Sequence, residues 1–163
     1  MKLKTGAKTG FFFTNRWMAN KTFKGRGQSM NKKLVDLHKT LPLVPPDAGL
    51  REIAEVMLNS KSNLILVGEE GEQPQGYIDC KSIIREFLNG SDGTKVTAGD
   101  LAVLIKAESK VELNGNMENI TSRIHRGMEL PLFASKNDIV TGAFSLEGII
   151  NELSKLHDAE KRK

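Results

Sequence analysis

The sequence predicts an α+β fold made of two copies of one strand–helix–strand–strand–helix unit, on two observations and one physical argument. A nine-residue phrase occurs twice, as Gly76-Tyr77-Ile78-Asp79-Cys80-Lys81-Ser82-Ile83-Ile84 and as Gly142-Ala143-Phe144-Ser145-Leu146-Glu147-Gly148-Ile149-Ile150. Each copy reads as a glycine, a short apolar strand end, a small polar residue and the apolar start of a helix. The apolar positions ahead of the phrase repeat too. Leu50, Ile53, Met57 and Ile65 fall on Met117, Ile120, Ile124 and Leu132 at an offset of 67, and Gly76 falls on Gly142 at 66, which places a one-residue difference in the hairpin turn. A unit of this size exposes an apolar sheet face that it cannot cover alone, whereas two copies cover each other. A pseudo-twofold pair is the economical arrangement.

The elements of the first half follow in order. Leu34, Val35, Leu37 and Leu41 suggest a short lead-in helix running into a strand over 41–44. Pro45-Pro46-Asp47 ends that strand, with Asp47 as the N-cap or first-turn acid of the next helix. Leu50, Ile53, Ala54, Met57 and Leu58 mark its apolar face. The continuous apolar run 63–67 predicts a buried strand. Gly68 to Pro74 make an acidic turn, 76–78 the return strand, and 82–88 a helix ending at Asn89-Gly90.

Ser91-Asp92-Gly93-Thr94 connects the halves. The second half reads as a lead-in helix from Thr97 through Leu101, Leu104 and Ile105, then a short strand over 111–113. A helix facing the core through Met117, Ile120, Ile124 and Met128 follows. Strands at 130–133 and 139–144 flank a polar turn over 135–138. Leu146, Ile149, Ile150, Leu153 and Leu156 form a final amphipathic helix, and the charged tail 158–163 is expected to fray. The predicted divisions are therefore an arm over 1–33, repeats over 34–90 and 91–157, and the tail over 158–163.

Composition narrows the function classes. The chain has 163 residues, of which 39% are hydrophobic and 27% charged, as in a globular domain. No apolar run approaches the roughly 20 residues that span a bilayer. Phe11-Phe12-Phe13 is too short for a signal-peptide core and no small-residue cleavage site follows it. The single cysteine, Cys80, forms no intramolecular disulfide and suits a reducing cytoplasm, the expected location. The net charge of +4 hides an asymmetry, because residues 1–35 carry nine basic residues and no acidic one. The remainder has 24 − 9 = 15 basic against 20 acidic residues, a net of −5. The arm interleaves its lysines and arginines with Phe11–Phe13, Trp17 and Phe23. That pattern suits an extension without structure of its own, a segment packing on a partner subunit, or an acidic protein partner. It also suits tracking of a nucleic-acid backbone with base stacking. Met30-Asn31-Lys32-Lys33 reads like a bacterial start, which would leave 1–29 upstream of it.

No catalytic constellation is expected. His38, His125 and His157 are dispersed, without ligand-spaced companions, so no metal site is expected. Glu69-Glu70-Gly71-Glu72 lacks the alternating ligands of a calcium loop and reads as a solvated turn. Cys80 at a helix start reads as a buried thiol, or as one whose pKa the helix end lowers. There is no glycine-rich dinucleotide fingerprint, Walker loop or nucleophile elbow. The chain is not expected to be an enzyme.

Over residues 34–157 the order and spacing resemble a tandem pair of cystathionine-β-synthase (CBS) domains, a Bateman module. Val44-Pro45-Pro46-Asp47-Ala48-Gly49-Leu50 is similar to the family's exit from strand one, and Leu130-Pro131-Leu132 to its second strand. The phrases at Gly76 and Gly142 are similar to its third strand and turn. The resemblance implies a regulatory module that binds an adenosine-containing ligand between the repeats: AMP, ATP, S-adenosylmethionine or a cyclic dinucleotide. It requires no fixed cofactor. It also implies a homodimer formed through the helices and a regulated protein partner. In the family the turn after strand three carries Thr or Ser and, three residues later, an Asp that binds ribose hydroxyls. Here Asp79 and Ser82 hold those types in inverted order, while Ser145 is followed by Gly148. Either turn also has an ordinary explanation as a helix cap. The resemblance implies ligand contacts at Asp79, Lys81, Ser82 and Ser145. It implies cleft walls of Leu43, Val44 and Pro45 in one half, and Val111, Glu112 and Leu132 in the other. The alternatives are a ligand-free dimerisation scaffold and a nucleic-acid binder using the arm.

Overall fold

Two small sheets form because each half folds a parallel strand pair and an antiparallel hairpin. The computed structural model describes residues 34–91, 95–127 and 130–161. In the first half β2 (Leu43–Val44) pairs in parallel with β3 (Leu64–Val67), and β3 pairs antiparallel with β4 (Gly76–Asp79). The helices α1 (Leu50–Ser60) and α2 (Cys80–Leu88) complete the unit. The second half repeats the pattern with β5 (Lys110–Glu112), α4 (Met117–His125), β6 (Phe133–Lys136), β7 (Ile139–Phe144) and α5 (Leu146–Lys161). This is the predicted α+β pair of β-α-β-β-α units.

The lead-in segments, however, are exchanged. The strand β1 (His38–Thr40), which precedes the first half, pairs antiparallel with β7 of the second, with Lys39 opposite Ala143. Reciprocally, Val103, which precedes the second half, bridges Tyr77 on β4, donating to its carbonyl at 2.8 Å and accepting from its N–H at 2.9 Å. The side chains follow the backbone. Leu34 and Leu37 are buried with Val111, Met117, Ile120, Leu132, Phe144 and Ile149 of the second half. Ala98, on the short helix α3 (Ala98–Leu101), is buried with Val44, Leu50, Ile53, Ile65 and Ile78 of the first. A third apolar cluster joins the halves through Leu41, Leu66, Phe133, Val140 and Ala143.

The exchange explains the doubled glycine. A Cβ at Gly76 would stand 2.6 Å from the carbonyl oxygen of Val103, and one at Gly142 would run into the carbonyl oxygen of Lys39. Both glycines are there because a foreign strand passes too close for any side chain.

Several elements differ from expectation for local reasons. The lead-in helix shrinks to a 3-10 turn at Leu34–Asp36. Of the expected strand over 41–44 only 43–44 forms, as β2, because Pro42 has no N–H for a ladder, and β1 lies ahead of it at 38–40. Gly49, not Asp47, is the N-cap of α1, and no side chain caps that helix. Pro131 likewise has no N–H to give, and β6 starts only at Phe133. Its hairpin is zipped to Lys136 and Ile139 and closed by Asn137 and Asp138, both at left-handed φ of 52° and 64°. That is the geometry of a tight two-residue turn. Pairing in the first half stops at Val67 and Gly76, which leaves 68–75 an open loop. The helix α5 continues to Lys161 in place of a frayed tail, since 158–161 contain good helix formers and no Gly or Pro. Leu58, assigned to the apolar face of α1, is 77% exposed.

Candidate functional site

The two halves attach their exchanged strands to their own first strands by connections of unequal length. The residue opposite Ala143 is Lys39 and β2 begins at Leu43, which leaves three residues, 40–42. The residue opposite Tyr77 is Val103 and β5 begins at Lys110, which leaves six, 104–109. The surplus is taken up by a 3-10 turn at Ala107–Ser109. Arg123 on α4 holds that turn in place: its Nη1 donates to the carbonyl of Glu108 at 2.6 Å and to that of Lys110 at 2.7 Å.

The longer connection opens a cleft of about 510 Å³ between the halves. One wall is the connection itself, with Val103, Leu104, Lys106, Glu108 and Ser109. The opposite wall is the stretch after α4, with Arg126, Gly127, Leu130 and Pro131. Gly127 adopts φ of 78°, the left-handed conformation that ends helices. Tyr77 from the first half adds its half-buried ring, which packs on the buried ring of Phe133 from the second, the centroids 4.9 Å apart and tilted by 52°. The chemistry is legible from these side chains. Apolar and aromatic surface suits a flat ring, and Lys106 and Arg126, against the single described carboxylate of Glu108, suit an anion.

Comparison with known proteins follows the same lines. No family model matches the sequence, and no curated protein does. Solved structures match well in three dimensions. The CBS domain of a CBS-domain-containing membrane protein from Sphaerobacter thermophilus superimposes with a TM-score of 0.59 at 14% identity, covering 73% of this chain and 85% of that one. CBSX2, solved in complex with AMP, gives 0.57 at 13% identity, covering 77% and 98%. The fold is that of a CBS-domain pair. A putative acetoin utilization protein from Vibrio cholerae also matches, with a TM-score of 0.60 at 8% identity over 80% and 96% of the two chains. At such identities the likeness is one of fold.

The site residues read from the sequence take up various places in this fold. Val44 is buried in the first-half core, and Val111 and Leu132 in the second. Leu43 pairs with Leu66 at the edge of its sheet, and Pro45 is exposed beside it. Glu112 closes the β6–β7 hairpin, accepting from Ser135 Oγ at 2.8 Å and from Asp138 N at 3.2 Å. Asp79 caps α2, where its Oδ1 accepts from both the N–H and the Oγ of Ser82 at 2.8 Å. Burial pushes the Asp79 carboxyl up. The two Ser82 hydrogen bonds and the charges of Lys81 and Arg85 outweigh that and hold it below the usual carboxylate value. Lys81 is exposed on α2. Ser145 Oγ accepts from Gly148 N at 3.2 Å, and Leu37 packs 3.3 Å from where a Gly148 side chain would begin.

None of these ten lines the 510 Å³ cleft. The residues that do line it are not among the predicted ligand contacts, although Tyr77, Leu104, Leu130 and Pro131 belong to predicted elements or repeated stretches. The available signal was the three-residue surplus in 104–109. Among the described residues no cluster of His, Cys, Asp or Glu is arranged to hold a metal, and no helix is long and apolar enough to cross a membrane. The basic arm over 1–33 and the core position expected of Met128 lie outside the described residues.

Proposed function

We propose that this CBS pair is a regulatory module that takes an adenosine-containing ligand into the cleft lined by Tyr77, Phe133, Lys106 and Arg126. The candidates are AMP, ATP, S-adenosylmethionine and a cyclic dinucleotide. The observation that carries the reading is that both halves contribute to one cleft whose volume, about 510 Å³, falls in the range of small-molecule sites. The ring of Tyr77, backed by the buried Phe133, suits a purine, and the two cations suit its phosphates. The role is regulatory and not catalytic: a ligand touching both halves favours one arrangement of them over another.

The output passes through the helices. Leu58 on α1 and Leu88 on α2 are 77% and 82% exposed, Phe87 is 55% exposed, and Ile150 on α5 is 61% exposed. Exposed apolar side chains of this kind suit a homodimer or a regulated partner.

Titration calorimetry with AMP, ATP, S-adenosylmethionine and cyclic di-AMP, paired with thermal melting, tests the reading. At least one ligand should give saturable heat and raise the melting temperature, since a ligand at 100 times its Kd adds about 2.7 kcal/mol to stability. Flat heats and an unchanged melting temperature for all four would overturn it. The exposed apolar side chains would then leave the dimerisation scaffold as the standing interpretation.

A further inference from the structure

We infer that the chain holds one ligand, in the cleft beside the second half, and that Arg126 with the long connection 104–109 makes that choice. The inference rests on the nucleotide reading above and adds to it a stoichiometry and the residues that set it. A pseudo-twofold pair offers two related places, and here they are built differently. The strand registers put Ala143 where Tyr77 stands and the buried Leu66 where the buried Phe133 stands, so the half-exposed ring of Tyr77 has no counterpart. The offset of 67 puts Asn59 in the place of Arg126 and Asn63 in the place of Leu130, so amides replace a cation and an apolar rim. The connection 40–42 has no residues for Lys106, Glu108 or the 3-10 turn, and its Leu41 is buried in the cluster that joins the halves. Lys39 stands where Val103 does, so a cation is present at both places and charge alone does not separate them. Ring surface, connection length and the guanidinium do.

The test is calorimetry on the full chain with AMP, ATP, S-adenosylmethionine and cyclic di-AMP as probes. The expected stoichiometry is one ligand per chain. Arg126→Asn and Tyr77→Ala each convert the cleft towards its counterpart and should weaken binding about tenfold or more, the loss expected of a charge-assisted contact or an aromatic face. Lys39→Gln and Asn59→Ala should stay within about twofold of the parent. Circular dichroism confirms that each variant folds. Removal of residues 107–109 serves as a second route to the same loss, and the point variants decide the matter if that deletion fails to fold. Two ligands per chain would overturn the inference while leaving the sensor reading intact. So would Lys39→Gln weakening binding as much as Arg126→Asn, or no effect of Arg126→Asn. Absence of binding by all four probes would overturn both.

Discussion

Gln73 Oε1 accepts a hydrogen bond from Val140 N at 3.0 Å, and the two residues are 67 positions apart, the spacing that relates the halves. The bond ties the open loop 68–75 of the first half to β7 of the second, whereas the second hairpin is closed by the tight turn at Asn137-Asp138. Replacing Gln73 by Ala leaves the Val140 N–H without its partner in a partly buried place. Stability should fall by about 1 kcal/mol in urea unfolding. A midpoint equal to that of the parent would mean that water substitutes fully.

The exchanged strands make a sharper forecast at the two phrase glycines. Gly76→Ala and Gly142→Ala each push a methyl against a backbone carbonyl that the other half holds in place. Each should cost about 2 kcal/mol or more, as overpacking does. Gly148→Ala meets only the flexible end of Leu37, at 3.3 Å, and should cost under about 1 kcal/mol. Thermal melts of the three variants rank them, and equal losses would refute the account of the glycines.

Asp79 links stability to acid. Its carboxyl is held below the ordinary value in the fold, so its contribution is complete above that value and is lost as pH falls through the folded one. Asp79→Asn keeps an N-cap acceptor and removes the titration. The parent should be the more stable of the two near neutrality, and the gap should close as the pH falls below the ordinary carboxylate range. Asp79→Ala should cost about 1 kcal/mol at neutral pH by loss of the cap itself. A gap that is constant with pH would show that the carboxylate is not the group responsible.

Arg123 ties α4 to the wall of the cleft through two backbone carbonyls. Arg123→Ala should speed amide exchange across 106–111 and lower stability by about 1–2 kcal/mol, because charged donors make the stronger hydrogen bonds. Exchange unchanged over that stretch would show that the 3-10 turn holds itself.

The exposed apolar side chains of α2 predict association. Phe87→Glu and Leu88→Glu change largely exposed residues, so folding should be kept while a dimer, measured by sedimentation velocity, reverts to monomer. A parent chain that is already monomeric at high concentration would remove this face as a dimer contact.

Much of the fold is legible in the sequence because it is written twice. The phrase at Gly76 and Gly142 and the spacing of Leu50, Ile53 and Met57 against Met117, Ile120 and Ile124 locate both halves. The exchange of lead-ins is not legible. His38, Lys39 and Thr40 have no apolar alternation, and their partners lie about a hundred residues later, so no local pattern announces the pairing. The cleft escaped for a related reason. Repeat comparison draws attention to what the halves share, such as the turns at Asp79 and Ser145, and both of those are built as helix caps. The cleft is lined where the halves differ, by the longer connection 104–109 and by a ring pair contributed by two strands that meet only in the folded chain.

The crossed lead-ins bear on how such a chain came to exist. A lone ancestral unit would have had no use for its own lead-in, and its core would have lacked the leucines that Leu34 and Leu37 now supply from the other half. Only by trading that segment with a second molecule would each have been filled, which is domain swapping between protomers. The crossed lead-ins are arranged as they would be in such a swapped pair with its two units joined end to end. Cutting the chain in the connector 91–95 should therefore yield pieces that recover the fold together and not apart.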